Sequence, residues 1–191
     1  MFFFPVLLVV VFAGFVVQQF LPPLPGDVRI YLLPLLVFYS AVATPFWMML
    51  IVAAAAGVML DAFQAQIMTG VLGPDGTPLL SVEIAVGWSI LLNAILGAIM
   101  SGFRPVFIRG RWDVYLLVSF LAGVFTSAIV AIEFIIICFR RGGFVYTRDI
   151  GLRVAGSGLV AFAIAPALFI CLNILARLCH YEPHPERADG R

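Results

Sequence analysis

The stretch LLPLLVFYSAVATPFWMMLIVAAAAGVMLDAF, residues 32–63, decides the fold that this sequence predicts. Asp61 is its only charged residue, and upstream to residue 28 only Arg29 is charged. A helix crosses the hydrocarbon core of a membrane with about 20 apolar residues, in a range of about 17–25, so this run is too long for one span. The best break is Ala43-Thr44-Pro45, because the residue before a proline avoids the α region. We therefore predict two short helices, at 28–44 and 46–62, with Asp61 closing the second where it meets water.

The composition of the whole chain indicates an integral membrane protein. Of its 191 residues, 63% are hydrophobic and 11% are charged, and the mean hydropathy is +1.13. Soluble domains are about 45–50% apolar and about 25% charged. The net charge of +1 gives no basic surface for nucleic acid. The three cysteines form no C-x-x-C pair, which favours packing over redox or metal chemistry.

The distribution of apolar segments predicts an all-α bundle of six transmembrane helices with no soluble domain. The first segment lacks a basic n-region and an A-x-A cleavage site, which favours a retained membrane helix. Residues 1–178 form the predicted membrane domain, and 179–191 form a short polar tail that we expect to be disordered. The predicted spans are 2–20, 28–44, 46–62, 80–103, 114–139 and 154–178.

Arginine counts do not orient the predicted bundle. With the N-terminus inside, the inner segments hold six of the eleven arginines and the outer segments hold five. The positive-inside rule therefore leaves the topology open.

Small residues at four-residue spacing predict the faces on which the helices pack. In lipid, helices associate where small residues let two backbones approach closely. The predicted packing residues are Ala94, Gly97, Ala98 and Gly102 in the fourth span, with Gly123 and Ser127 in the fifth.

Reactive chemistry has little support in the sequence, and we expect neither a catalytic residue nor a cofactor or metal. Asp61, Glu83 and Glu133 fall near predicted span ends, which favours capped or interfacial carboxylates over an intramembrane reacting group. The sequence around Ser157 lacks the Gly-x-Ser-Gly pattern, and no predicted span holds a histidine to act as its base.

Arginine-rich connectors are the candidate contact surfaces. The alternative is that these arginines only set the orientation of the helices in the membrane and contact lipid, without binding a protein partner. We predict that Arg104, Arg109 and Arg111 touch anionic lipid headgroups or an acidic partner. The connector after the fifth span is also a candidate for partner or lipid contact, through Arg140, Arg141, Arg148 and Arg153.

The quoted stretch resembles the core of the MreD family of rod shape-determining membrane proteins. That family has an apolar helix with an early proline, then Tyr-x-Ala with a nearby proline, then Gly-x-x-x-Asp at the end of the next helix. The matching residues here are Pro34, Tyr39, Ala41, Pro45, Gly57 and Asp61. This chain departs from the family in a longer loop after Asp61, QAQIMTGVLGPDGTPLLSVEI.

The resemblance implies a non-catalytic scaffold subunit of the cell-elongation complex in the bacterial inner membrane. The implied partners are an MreC-like protein and, directly or indirectly, MreB, RodA and its transpeptidase. The implied fold resembles the substrate-binding subunits of energy-coupling-factor vitamin transporters. Such a subunit is the alternative function, and it requires a polar pocket that Gln64, Gln66, Trp88 and Asn93 would line. A lipid-modifying enzyme is a third class, for which the sequence lacks the necessary acids and bases.

Overall fold

The computed structural model describes residues 3–25, 28–68, 87–102, 112–140 and 148–181. Within these ranges the chain forms six α-helices and no strand, which confirms the predicted all-helical class. The helices are α1 (Phe3–Phe20), α2 (Leu32–Ala43), α3 (Phe46–Met68), α4 (Trp88–Gly102), α5 (Trp112–Arg140) and α6 (Arg148–Leu178).

Three of these helices are long and apolar enough to cross a membrane. They are α1, the Leu116–Phe139 part of α5, and α6. By contrast α2 has 12 residues and α4 has 15. At a rise of about 1.5 Å per residue, α2 covers about 18 Å of a hydrocarbon core that is about 30 Å thick.

Side-chain contacts show which helix ends lie together. At one end, Phe3 stacks on Tyr181 with ring centroids 4.5 Å apart, and the Tyr181 hydroxyl donates to the Ala43 carbonyl at 3.2 Å. We call this the terminal end, because the start of α1, the end of α2 and the end of α6 meet there. At the opposite end, the Gly87 amide before α4 bonds Asp61 of α3.

The short helix α2 is the centre of the fold and contacts all five other described helices. Ten of its 12 residues are buried, which explains why it is apolar on every side. Phe38 lies 5.6 Å from Phe125 of α5 in an edge-on arrangement. It also stacks on Phe169 of α6 at 5.8 Å, so three aromatic rings fill the space between these helices.

Polar groups from neighbouring segments determine where α2 begins and ends. Tyr31 gives no side-chain cap. Instead, Oε1 of Gln18 accepts hydrogen bonds from the amides of Leu32 at 2.9 Å and Leu33 at 3.2 Å. At the other end Thr44 is extended, as expected for a residue before proline, and its hydroxyl donates to the Ser40 carbonyl at 2.8 Å. The predicted break before Pro45 is confirmed, while α2 begins later than predicted.

The prediction that Asp61 closes its helix is wrong. Helix α3 continues to Met68, and only 6% of Asp61 is exposed. Residues 62–68 include neither Gly nor Pro, so nothing in the backbone stops the helix at Asp61. The carboxylate is buried inside the fold, where its partner is an amide and not bulk water.

Two other boundaries also differ from the predicted ones. Helix α6 begins at Arg148, six residues before the predicted span, with Asp149 in its first turn. An acid at that position interacts favourably with the helix dipole. The predicted tail starts with ordered residues, since Cys179 and Tyr181 pack against the core, and residues 182–191 lie outside the described chain. Residues 80–86, the predicted start of the fourth span, also lie outside it.

Candidate functional site

Four motif residues lie on or beside the central helix, and one of them is the fully buried Ala41. Pro34 occupies the first turn of α2, where its missing amide hydrogen costs nothing. Tyr39 is 5% exposed, and its hydroxyl donates a 3.0 Å hydrogen bond to Oδ1 of Asn173 in α6. Pro45 separates α2 from α3, and its carbonyl accepts the Met49 amide at 3.1 Å. These residues therefore connect α2 to its neighbours along the chain and across the bundle.

Gly57 and Gly97 let α3 and α4 approach closely. A Cβ on Gly57 would lie 2.5 Å from Cα of Ile90, and a Cβ on Gly97 would lie 2.7 Å from Sδ of Met49. A side chain at Gly57 would meet backbone, which cannot move without shifting α4. The contacts run in opposite directions along the two helices, so α3 and α4 are antiparallel.

Helices α5 and α6 form a second close pair. A Cβ on Gly123 would lie 2.8 Å from the Gly158 carbonyl, and the Ser127 hydroxyl occupies the space beside Gly158. Ser127 also donates a 3.2 Å hydrogen bond to the Val154 carbonyl. These small residues bring two backbones together, the kind of contact that stabilises helices in lipid.

The other predicted packing residues divide into two groups. Ala94 and Ala98 are partly buried and pack against the core. Gly102 is the last residue of α4 and is exposed, and no described atom lies within 4 Å of the position of a Cβ there. Within the described residues, the fourth-span stripe therefore packs as far as Ala98.

Most of the predicted arginine surfaces lie outside the described chain. Arg104, Arg109, Arg111 and Arg141 fall in residues that the structure does not describe, and Arg140 is described only as the last backbone position of α5.

Half of the predicted ligand pocket also lies outside the described side chains, because those of Gln64 and Gln66 are not described. Trp88 is 41% exposed, whereas Asn93 is 1% exposed.

A charged cluster of Asp61, Glu133 and Arg153 lies at the end of the bundle opposite the terminal end. The Gly87 amide donates a 2.6 Å hydrogen bond to Oδ2 of Asp61. Glu133 of α5 interacts electrostatically with Asp61 of α3 and with Arg153 of α6. Three separate helices therefore each contribute one charge to the same region.

Arg153 is held in this cluster by its surroundings. Its guanidinium carbon lies 5.5 Å from the centre of the Phe134 ring, within the range of a cation–π interaction. The Ser157 hydroxyl donates a 2.6 Å hydrogen bond to the Arg153 carbonyl. Although Arg153 was predicted to lie in a connector, it is an interior residue of α6 with its charge directed at α5.

Two neutral polar side chains of α4 lie near the charged cluster. Ser89 is 2% exposed and Asn93 is 1% exposed. The Asn93 amide nitrogen donates to the Ser89 carbonyl at 2.8 Å. Oγ of Ser89 and Oδ1 of Asn93 have no hydrogen-bond partner among the described residues. Buried oxygens of this kind are rare in folded proteins and require an explanation.

The sequence analysis missed Gln18 and Asn173 as structurally important residues, and it placed Arg153 in a connector. A polar residue in an apolar helix was the available signal for Gln18 and Asn173, because lipid-facing amides are costly. Arg153 precedes the predicted start of its span, so the boundary error concealed its position. No single-helix pattern relates Glu133 to Asp61, because their proximity arises only from packing.

Comparisons with known proteins do not assign this chain to a family. Among the described residues, no group of three or more His, Cys, Asp and Glu side chains could hold a metal ion. No protein-family model matches the chain, and neither a curated protein nor a solved structure matches it.

Proposed function

We propose that this chain is a non-catalytic scaffold subunit of the bacterial cell-elongation complex, which directs peptidoglycan synthesis. It would lie in the cytoplasmic membrane as a multi-pass protein of six helices. Its direct partner would be an MreC-like protein, and it would act with MreB, RodA and a transpeptidase through that partner or by contact. The basis is the MreD-like pattern in residues 34–61.

The observation that carries this proposal is the structural role of the pattern residues. Tyr39 joins α2 to α6, Gly57 lies against the backbone of α4, and Asp61 accepts the amide that precedes α4. Residues that matched a family by chance would fall on lipid-facing and interior positions alike. Here Tyr39, Gly57 and Asp61 are buried at contacts between helices, as expected of a pattern that specifies a fold.

Two further observations support six membrane helices. The contacts at the terminal end and the opposite end fit helices that alternate in direction along the chain. In addition, large apolar side chains are exposed on the outer helix faces, including Val9, Phe120 and Leu159. Exposed apolar surface of this extent is typical of contact with lipid or a partner protein.

The packing at the centre of the bundle argues against the transporter alternative. A vitamin-binding subunit needs a pocket between its helices. Phe38, Phe125 and Phe169 instead fill the space around α2 with rings in direct contact. Asn93 is the only one of the four predicted pocket residues whose side chain is described as buried.

Depletion of the gene in its own host tests the proposal. We expect rod-shaped cells to become round, because loss of a scaffold uncouples synthesis of the lateral wall from the elongation machinery. Affinity purification of the tagged chain in mild detergent should recover an MreC-like protein. Depleted cells that keep their rod shape would refute the proposal, and a specific defect in vitamin uptake would favour the alternative.

Complementation with point variants tests the role of the pattern itself. We expect Asp61→Asn to insert and accumulate normally but to restore rod shape less well, because the charge facing Glu133 and Arg153 is lost. The matched control is Asp149→Asn, an exposed acid in the first turn of α6. Full complementation by Asp61→Asn would show that the charge has no role in function.

A further inference from the structure

Exposed aromatic side chains lie at the terminal end of the bundle. Phe46 and Trp47 begin α3 and are 51% and 54% exposed. The ring of Trp47 lies 5.9 Å from the ring of Phe4 in α1, and the neighbouring Phe3 stacks on Tyr181. The start of α3 therefore presents two large rings on the outer surface, at the level where α1 begins and α6 has ended.

The exposed side chains of α3 become aliphatic one turn after these rings. Among the described side chains of α3, the large exposed ones that follow Trp47 are Leu50, Ile51 and Val58. Tryptophan is enriched where lipid headgroups begin, whereas leucine, isoleucine and valine are favoured deeper in the membrane. The outer face of α3 therefore changes in the way expected of a helix that enters the hydrocarbon just after Trp47.

The end of α6 gives an independent indication of the membrane boundary. The helix ends at Leu178, and His180 has left-handed backbone with φ of 51°. Arg177 and His180 are both exposed. Exposed backbone that is not helical does not occur in the hydrocarbon region, because lipid chains cannot satisfy its hydrogen bonds. The terminal end therefore lies at the level of the headgroups.

The contacts of Tyr181 bring these polar residues to the depth of the aromatic rings. Its hydroxyl donates to the carbonyl of Ala43 at 3.2 Å, and Ala43 is the last residue of α2, just before α3 begins. The His180 amide bonds the Arg177 carbonyl at 3.0 Å, so both polar residues lie within about one helical turn of Tyr181. An arginine at this level can rest its stem on apolar surface and extend its charge to phosphate.

We propose that Phe4, Phe46 and Trp47 form an aromatic anchor that binds phospholipid at the boundary between headgroups and acyl chains. Arg177 and His180 lie on the headgroup side of this anchor. Phospholipid is the occupant because the rings share their depth with exposed non-helical backbone and with a cation that complements phosphate. A partner helix would satisfy neither of these features.

The anchor sets the depth of the central helix. Helix α2 has 12 residues, so from the terminal end it reaches at most about 18 Å into a core of about 30 Å. Its first amides, which bond Gln18, then lie inside the membrane, where the glutamine replaces water. The anchor requires only a chain that crosses the membrane, so it holds whatever the bundle assembles with.

Depth-dependent quenching of tryptophan fluorescence by brominated phosphatidylcholine tests the anchor. The chain has three tryptophans, so Trp88→Phe with Trp112→Phe leaves Trp47 as the reporter in the full chain. In vesicles, bromines near the headgroup end of the acyl chains should quench Trp47 roughly twofold more than bromines near the methyl end. Quenching that is equal or stronger at the methyl end would overturn the proposal. So would quenching by aqueous iodide alone, or protection of Trp47 from every quencher.

A second reporter on the same helix is the matched control. Val58 is 55% exposed and lies about 16 Å further along α3 than Trp47, near the middle of the core. Val58→Trp, combined with Trp47→Phe in the same background, should reverse the order of the two lipids. The same order for both reporters would overturn the proposal, because the two positions would then not differ in depth.

A measurement on the otherwise unchanged chain covers the case in which the combined variants do not fold. In protein labelled with fluorotryptophan, Trp47→Phe identifies the fluorine resonance of Trp47 by removing it. A nitroxide on the lipid headgroup should broaden this resonance more than a nitroxide at the end of an acyl chain, and the reverse order or no difference would overturn the anchor. Neither readout involves cell shape, so the anchor and the scaffold proposal can fail separately.

Discussion

The Tyr39 hydroxyl donates a 3.0 Å hydrogen bond to Oδ1 of Asn173, a residue 134 positions later in the chain. It joins the central helix α2 to the last helix α6, beside the stacked rings of Phe38 and Phe169. The Tyr39 ring itself lies 5.9 Å from Phe169. One side chain thus contributes both packing and a polar link between distant parts of the sequence.

We expect Tyr39→Phe to destabilise the fold modestly, since it removes this hydrogen bond and retains the ring. The coupling between Tyr39→Phe and Asn173→Leu should be about 0.6–1 kcal/mol, the usual value of a hydrogen bond within a membrane bundle. A double-mutant cycle of SDS-induced unfolding measures it. Strictly additive single-variant effects would contradict an interaction between the two side chains.

Gly57→Ala should be one of the most disruptive single-methyl changes in the chain. The new Cβ would lie 2.5 Å from Cα of Ile90, so α3 and α4 would have to separate, at a cost of roughly 1–3 kcal/mol. The matched control is Gly102→Ala in α4, where no described atom is close. Tm measured in detergent should fall for Gly57→Ala and stay within a degree or two for the control. Equal values for the two variants would contradict the close approach.

Gln18 and Gln19 should respond oppositely to the same substitution. Gln18→Leu leaves the Leu32 and Leu33 amides without their acceptor, which should cost about 1–3 kcal/mol. Both side-chain polar atoms of Gln19 are buried without a described partner, so Gln19→Leu should leave stability equal or higher. Equilibrium unfolding in SDS compares them, and a larger loss for Gln19→Leu would contradict the cap on α2.

Phe125→Ala should open a cavity at the centre of the bundle. Phe125 is 1% exposed and contacts Phe38 edge-on, so its removal should cost roughly 3 kcal/mol. Phe120 lies on the same helix and is 57% exposed, which makes Phe120→Ala the control, with an expected change below about 1 kcal/mol because lipid can occupy the space. Limited proteolysis at increasing temperature should show an earlier loss of protection for Phe125→Ala alone.

The helical class of the fold was predictable from the sequence because hydropathy is a local property. Each apolar segment must satisfy its own backbone hydrogen bonds in lipid, and a helix does this without its neighbours. The break at Pro45 was predictable for a similar reason, since proline restricts the residue before it. The small residues Gly57 and Gly123 were also visible as spacing, although their partners were not.

The positions that sequence reasoning placed wrongly are those where partners decide the outcome. Asp61 resembles a helix end because a carboxylate in an apolar run is costly, but it is buried in the interior, where the Gly87 amide donates a hydrogen bond to it. Arg153 resembles a loop cation, but it lies within α6, where its guanidinium is stabilised by the Phe134 ring and by the nearby charge of Glu133. In both cases a contact across the bundle outweighs the local preference.

The sequence by itself determined that this chain forms apolar helices, and where proline separates two of them. Only the tertiary structure decided that the short α2 lies at the centre, surrounded by five helices. It also decided that Asp61, Glu133 and Arg153 share one region. The physical reason is that hydropathy and backbone geometry act within a segment, whereas burial of charge depends on side chains that arrive from other helices.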